Sequence, residues 1–341
     1  MLNISSSLVR KVNSSPLTWI TIFALASLTF TKYYFLFTNE FYPPAYAYKI
    51  ANFEADKVFQ KRFLVPISAD ILTRVTPLSF DQSLKCITVL SIFGLLYYFK
   101  KILEKLTDTY IGHFWSLLLL IPVSWNYMFI NSIYHTYDIP ALFFYSACLY
   151  LFIDRKYILF YIIFIVATLN RESTCFITIS IALLFCDFNL KNNFKKNRYT
   201  IRHLLAQTTL WLFLVFFINT LVKDSPGQSY EATYSIKQFF WNMLAGLPSW
   251  PYLNNESFFG NPRCFLTLFG CVWVAIPFLR KHIPAFCKRL LLLVPIYLIP
   301  ALLYANIMEA RVYHELNVVI SLAVVTGLIQ LKNSISINSA I

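Results

Sequence analysis

The chain is poor in charge. Asp, Glu, Lys and Arg make up 13% of its 341 residues, about half the share usual in soluble domains, which is roughly a quarter. That scarcity excludes an ordinary soluble fold. Also missing are a CxxC pair, a glycine-rich linker, a soluble module and a detectable repeat. The seven cysteines are odd in number and lie mostly in apolar runs, so they read as packing residues; a disulfide framework and a zinc site are excluded. Acids are scarce even against bases, 16 to 29, and the net charge is +13.

What the chain has is apolar surface. It is 58% hydrophobic and 18% aromatic, with a mean hydropathy of +0.58. Apolar runs predict membrane spans at 17–38, 83–99, 112–133, 137–153, 157–170, 174–188, 204–222, 264–280, 289–307 and 314–331. The expected fold is an all-α polytopic membrane protein with about ten transmembrane helices, a single transmembrane domain over 1–341.

Lys and Arg set the orientation. With the N-terminus in the cytoplasm, 17 of the 29 bases fall inside, among them Arg10, Lys11, Lys100, Lys101, Arg155, Lys156, Arg280 and Lys281. The short connections decide the matter, and both termini are expected to be cytoplasmic in the cell (inner) membrane. Only Glu104, Asp108, Asp154 and Asp187 join the bases inside. The basic inner surface therefore suits anionic membrane lipids, not nucleic acid. Arg10 and Lys11 precede an apolar run that continues past Ala24-Leu25-Ala26, which reads as an uncleaved signal anchor.

Two exterior segments exceed a turn. Residues 39–82 carry apolar positions at helical spacing and predict two short interfacial helices separated near Pro66. Residues 223–263 alternate Pro and Gly with Trp241, Trp250 and Tyr252, as a loop that packs on the interface and closes over a site. This second loop holds a formal glycosylation sequon at Asn255.

Polar residues gather at the exterior ends of the spans. They come from "FTNEFYPP" with Glu40, "NFEADKVFQKRFLVP" with Glu54, Asp56 and Arg62, "NSIYHTYDIP" with Asp138, "NRES" with Arg171 and Glu172, and "MEARVYHEL" with Glu309, Arg311, His314 and Glu315. Charges beside hydrocarbon cost several kcal/mol unless paired or lining a wet cavity. Internal pairing, Arg171 with Glu172 or Glu309 with Arg311, would merely fasten helix ends. Convergence of five connections on one face points instead to chemistry.

Transfer of a sugar from a polyprenyl-phosphate carrier uses such a set. A carboxylate takes the proton of the acceptor hydroxyl. Arginines, or a divalent metal such as Mg or Mn held by carboxylates, stabilise the departing phosphate. The candidate bases are Glu40, Glu54 or Asp56. Asp138 either caps its helix or binds metal or acceptor. Arg62, Arg171 and Arg311 are candidates for the donor phosphate, with Glu172, Glu309 and His314 supporting them and Glu172 orienting Arg171.

These motifs resemble the GT-C superfamily of membrane glycosyltransferases, especially the branch of protein O-mannosyltransferases and lipid A aminoarabinose transferases. "NEFY" (Asn39 to Tyr42) stands where that branch has an acidic pair and a tyrosine, with Asn39 in place of the first acid. "KRFLVP" resembles its basic-proline element, "YDIPALFF" its aspartate at the fourth helix, "LNRES" its cation between the fifth and sixth, and "EARVYHEL" an E-x-R before a late helix. The match covers the first 190 residues by order and spacing, and no counterpart of the family's soluble C-terminal domain is seen within these residues. The resemblance implies a GT-C-like fold with an exterior active site, a polyprenyl-phosphate-linked sugar donor, and a glycan, lipid or protein acceptor. A polysaccharide polymerase of the O-antigen or capsule kind is the alternative enzyme. A transporter or lipid flippase is the alternative of another class; it would need mid-membrane charges and broken helices in paired halves.

Overall fold

The protein is seen in a computed structural model that describes residues 16–38, 43–107, 113–129, 134–186, 194–226, 267–304 and 313–338. Within them the chain is helical throughout, with no strand. Helix α1 (Pro16–Phe37) leads through a 3-10 turn (Pro43–Ala45) to α2 (Ala47–Ala51), α3 (Lys57–Gln60) and α4 (Leu64–Val75). The long α5 (Phe80–Thr107) is followed by α6 (His113–Leu117), α7 (Leu120–Ser124) and a π-helical turn (Trp125–Phe129). Next come α8 (Asp138–Ile153), α9 (Tyr157–Asn170), a 3-10 turn (Glu172–Thr174), α10 (Cys175–Phe185) and α11 (Phe194–Leu221). A 3-10 stretch (Leu268–Val274) then precedes α12 (Ala275–Leu279), α13 (Ala285–Leu290), α14 (Leu293–Tyr304) and α15 (His314–Asn338).

Four of these helices are long and apolar enough to cross a membrane: α1, α5, most of α11 and most of α15. At 1.5 Å per residue, 22 residues reach about 33 Å, the thickness of a bilayer's hydrocarbon core. Outward-facing side chains such as Ile158 and Phe278 are more than 80% exposed, which suits lipid and not water.

Helices α1, α8, α9 and α10 sit close to the apolar runs that predict them. Helices α5 and α11 run beyond theirs, because Lys100, Lys101, Glu104 and Lys105 in one and Lys195, Lys196 and Arg198 in the other are good helix formers. Three expected spans are interrupted. The run 112–133 becomes α6, α7 and the π turn; 289–307 is broken at Leu291 and Leu292; and 264–280 contains Phe269, Gly270 and Cys271 in the left-handed region, φ near +60°. A left-handed run cannot continue a right-handed helix.

Proline explains much of this. Pro66, Pro122, Pro140, Pro277 and Pro295 are each the third residue of their helix. First-turn N–H groups have no partner within the helix, so the missing donor costs nothing there. Pro66 therefore belongs to the start of α4 and does not separate two helices; the break lies earlier, at residues 61–63. Buried Gln60 holds the preceding turn: its Nε2 donates to the Ile50 carbonyl at 2.7 Å and its Oε1 accepts from the Ala55 N–H at 3.1 Å.

The core is built on α8 and α15, which are buried nearly all round. Helix α8 packs most extensively on α5, and the approach is close at Gly94, where a Cβ would lie 2.5 Å from the Phe143 ring. Both core helices carry acidic residues in the first turn, Asp138 in α8 and Glu315 in α15, the latter beside His314. At the opposite ends of α5 and α8, Asp154 lies 2.8 Å from Lys105 Nζ and 3.0 Å from Lys156 Nζ. Hydrogen bonds from these ammonium groups, Lys105 foremost, push the Asp154 carboxyl down to about 2.

Candidate functional site

The site is assembled around Tyr137 and Asp138. Asn170, the last residue of α9, donates from Nδ2 to the Tyr137 carbonyl at 2.9 Å, so the end of α9 is fixed against the start of α8. The chain then turns extended at Arg171 (φ −161°, ψ 134°). This aims the guanidinium back at α8, where Nη1 donates to Asp138 Oδ1 at 2.5 Å. The Asp138 side chain is 1% exposed and that of Arg171 12%. Two charges this deep are tolerable only as a pair.

Arg62 arrives from the other side of the sequence. Its Nη1 donates to the Tyr137 hydroxyl at 2.7 Å, and its guanidinium carbon lies 4.7 Å from the Tyr137 ring centre. The guanidinium carbon of Arg171 lies 5.7 Å from the same centre. Two arginines far apart in sequence thus meet on one tyrosine ring, each in cation–π range. Phe59 stacks on His135, and His135 Nδ1 is 3.1 Å from the Tyr137 hydroxyl, which seats α3 over the entry to α8.

A second group adjoins the first. His314 Nε2 is 2.7 Å from Glu315 Oε1 and 3.1 Å from Ser173 Oγ. The Tyr297 hydroxyl donates to Glu315 Oε2 at 2.5 Å. Arg171 of the first group and Ser173 of the second are two residues apart, and Asp138, Arg171 and Glu315 all lie within electrostatic reach of the buried Tyr127 hydroxyl, so the two groups lie side by side as one buried polar network. Ser173, His314 and Glu315 do not make a nucleophile relay. Serine and glutamate both face Nε2, whereas a relay needs them on opposite ring nitrogens.

No protein family, curated protein or solved structure matches this chain.

Of the residues expected from sequence, Arg62, Asp138, Arg171, Glu172 and His314 are brought together. Glu172 takes a different partner from the expected one: Lys61 Nζ is 3.4 Å from its Oε1, and Arg171 turns to Asp138 instead. Adjacent residues at a helix end point to different sides, so Glu172 cannot orient its neighbour. Its carbonyl accepts from Trp211 Nε1 at 2.8 Å. Glu54 is exposed and Asp56 half-buried, and neither side chain bonds to the network. Glu40, Glu309 and Arg311 lie outside the described residues, as does most of the expected 223–263 loop, Asn255 included.

Tyr127, Tyr137 and Tyr297 are members that carry no charge to count, and Glu315 is a counted exterior charge that is not among the candidate site residues. Glu315 stands in the quoted "MEARVYHEL" and Tyr137 in "NSIYHTYDIP", whereas Tyr127 and Tyr297 sit in apolar runs. Among the described residues, the buried atoms Asp138 Oδ2, Tyr127 Oη and Asn170 Oδ1 have no hydrogen-bond partner. A buried polar atom left so costs about 1–3 kcal/mol, and a bound hydroxylic molecule would satisfy it. Among the described residues no group of three or more His, Cys, Asp and Glu could hold a metal ion. Asp138 also spends one oxygen on a guanidinium, so this donor set does not fit Mg or Mn.

Proposed function

We propose that the chain is a membrane glycosyltransferase moving a sugar from a polyprenyl-phosphate carrier to a cell-envelope acceptor at the outer face of the membrane. The observation that carries the reading is Arg62 and Arg171 on one Tyr137 ring beside Asp138, whose Oδ2 has no hydrogen-bond partner among the described residues. Guanidinium groups suit a phosphate, which they bind through two parallel hydrogen bonds. Asp138 Oδ2 is an acceptor for a sugar hydroxyl. Because its other oxygen holds Arg171, Asp138 acts here as a positioning and binding residue, and the proton goes to Glu40, Glu54 or Asp56. In a GT-C-like arrangement of ten crossings, α8, α9, α10, α14 and the broken segments join the four long helices. A 14-residue helix such as α9 reaches only about 21 Å, so its polar flanks or a thinned bilayer complete the crossing.

The test is mass spectrometry of surface glycans and lipid-linked sugars with and without the gene, followed by transfer from defined polyprenyl-phosphate sugars by the purified chain. The expected result is one lost hexosyl or pentosyl modification and accumulation of its lipid-linked donor. Unchanged glycans and an inert purified chain would overturn the reading.

Burial of Asp138, Arg171, His314 and Glu315 inside the bundle favours a transporter as the second reading, since ionisable groups in such positions line substrate and ion paths. Counterflow in vesicles, with no covalent product, would decide for it.

A further inference from the structure

We propose that the groove between α1 and α5 is a binding site for one anionic glycerophospholipid of the surrounding bilayer, its phosphate held by Lys32 and Lys85. The groove has a volume of about 840 Å³ and is lined mainly by apolar side chains, with Leu28, Val89 and Leu90 at one end and Phe35, Leu36 and Gln82 at the other. Lys32 and Lys85 also line it.

The two lysines sit at one depth. Lys32 is five residues before the end of α1 and Lys85 five residues after the start of α5, each about 7–8 Å along its helix. That is inside the edge of the hydrocarbon layer, from which a lysine's flexible stem carries the ammonium out to the headgroup level. Both are exposed, and among the described residues neither takes part in an ion pair. Asp81, one turn before Lys85 on the same helix, makes no ion pair with it. Lys85 Nζ lies 5.5 Å from the Phe35 ring centre, which keeps the ammonium over the groove.

Deeper than the lysines the wall is apolar, and Leu28 and Leu90 are 54% and 69% exposed. Thr31, 4% exposed, also lines the groove, and its Oγ1 has no hydrogen-bond partner among the described residues. Two unpaired cations above an apolar slot complement a lipid phosphate above an acyl chain. Basic pockets between membrane helices bind anionic headgroups on the same principle. This inference does not depend on glycosyl transfer, because the groove shares no residue with the Tyr137 network.

The test is native mass spectrometry of the full chain released from mixed micelles holding phosphatidylglycerol and phosphatidylcholine in equal amounts. One phosphatidylglycerol should stay bound to the wild type. The double variant Lys32→Gln/Lys85→Gln should bind it about twenty-five-fold more weakly, about fivefold for each lysine, while Lys32→Arg/Lys85→Arg should retain it. Lys281→Gln, which removes an exposed cation elsewhere, should leave binding unchanged. Equal retention of both lipids by the wild type, unaltered binding by the glutamine pair, or an equal loss with Lys281→Gln would overturn the proposal. So would displacement of phosphatidylglycerol by an equimolar polyprenyl phosphate. A glutamine pair that misfolds, seen by its melting curve, passes the decision to the arginine pair and the lipid preference of the wild type.

Discussion

Arg171 reaches 33 residues back along the chain to Asp138 and ignores the glutamate next to it. The pair ties the α9–α10 connection to the first turn of α8, where the carboxylate also faces the positive end of the helix. Breaking a buried pair from one side leaves a charge stranded, at a cost of about 3–5 kcal/mol. Asp138→Asn and Arg171→Met should each lower stability by that order in detergent unfolding. The double variant Asp138→Asn/Arg171→Met should lose less than the sum of the two singles. Additive losses would show that the two side chains do not depend on each other.

Tyr137 gives a way to separate the ring from the hydroxyl. Tyr137→Phe keeps the surface on which Arg62 and Arg171 lie but removes the acceptor for Arg62 Nη1 and the contact with His135 Nδ1. The expected loss is about 1.5–3 kcal/mol, the scale of a hydrogen bond to a charged group. Tyr137→Ala removes the cation–π surface as well and should cost several-fold more. If transfer from a lipid-linked donor is the activity, Tyr137→Phe should weaken donor binding before it slows turnover. Equal stability of the two variants would dismiss the ring as the meeting point.

The positions of α1, α8, α9 and α10 were legible because long apolar runs end at residues that cannot continue them: Asn170, Arg171 and the Asp154-Arg155 turn. The meeting of Arg62, Asp138 and Arg171 was legible only as a shared membrane face. Which charge takes which partner was not, because pairing depends on backbone direction at Arg171, and an extended residue there reverses what "RE" suggests. Proline misled in one place and could have helped in five. Read as an interruption at Pro66, it is a first-turn residue there, and the same x-x-Pro start recurs at α7, α8, α12 and α14. The left-handed turn at Phe269 to Cys271 has no cue at all in its apolar neighbours.

Asp154 supplies a pH-dependent contact away from the site. Its carboxyl is held at about 2 by Lys105 and Lys156, below its ordinary 3.8. A lowered carboxylate contributes stability above the unfolded value and loses it as pH falls through the folded value. The tie between the ends of α5 and α8 should therefore be complete above about pH 4 and fail toward pH 2. Melting curves of wild type and Asp154→Asn between pH 2 and 6 should differ at the top of that range and converge at the bottom. A constant difference would mean that charge is not what Asp154 contributes.

Gly94 should tolerate no side chain without movement of its neighbour. A Cβ there meets the Phe143 ring at 2.5 Å, and α5 and α8 are the most closely associated helices in the fold. Gly94→Ala should cost about 1–3 kcal/mol through overpacking, even though alanine favours the helix by about 1 kcal/mol. Gly94→Ala combined with Phe143→Leu should recover part of the loss. Stabilisation by the single variant would mean that the ring swings aside freely.

Asn126 serves two elements at once from the π turn. It is fully buried; its Oδ1 accepts from the Phe269 N–H at 2.8 Å and its Nδ2 donates to Asn317 Oδ1 at 3.0 Å. Asn317 is fixed in turn, because its Nδ2 donates to the His314 carbonyl at 3.0 Å. Asn126→Leu would leave the Phe269 amide and Asn317 Oδ1 without partners, at about 1–3 kcal/mol each. Asn126→Asp keeps the acceptor for Phe269 but sets a carboxylate against Asn317 Oδ1, which cannot flip without abandoning His314. Both variants should therefore destabilise, and only Asn126→Leu should speed hydrogen exchange at the Phe269 amide. Fast exchange in both would show that the amide is held by the turn itself and not by Asn126.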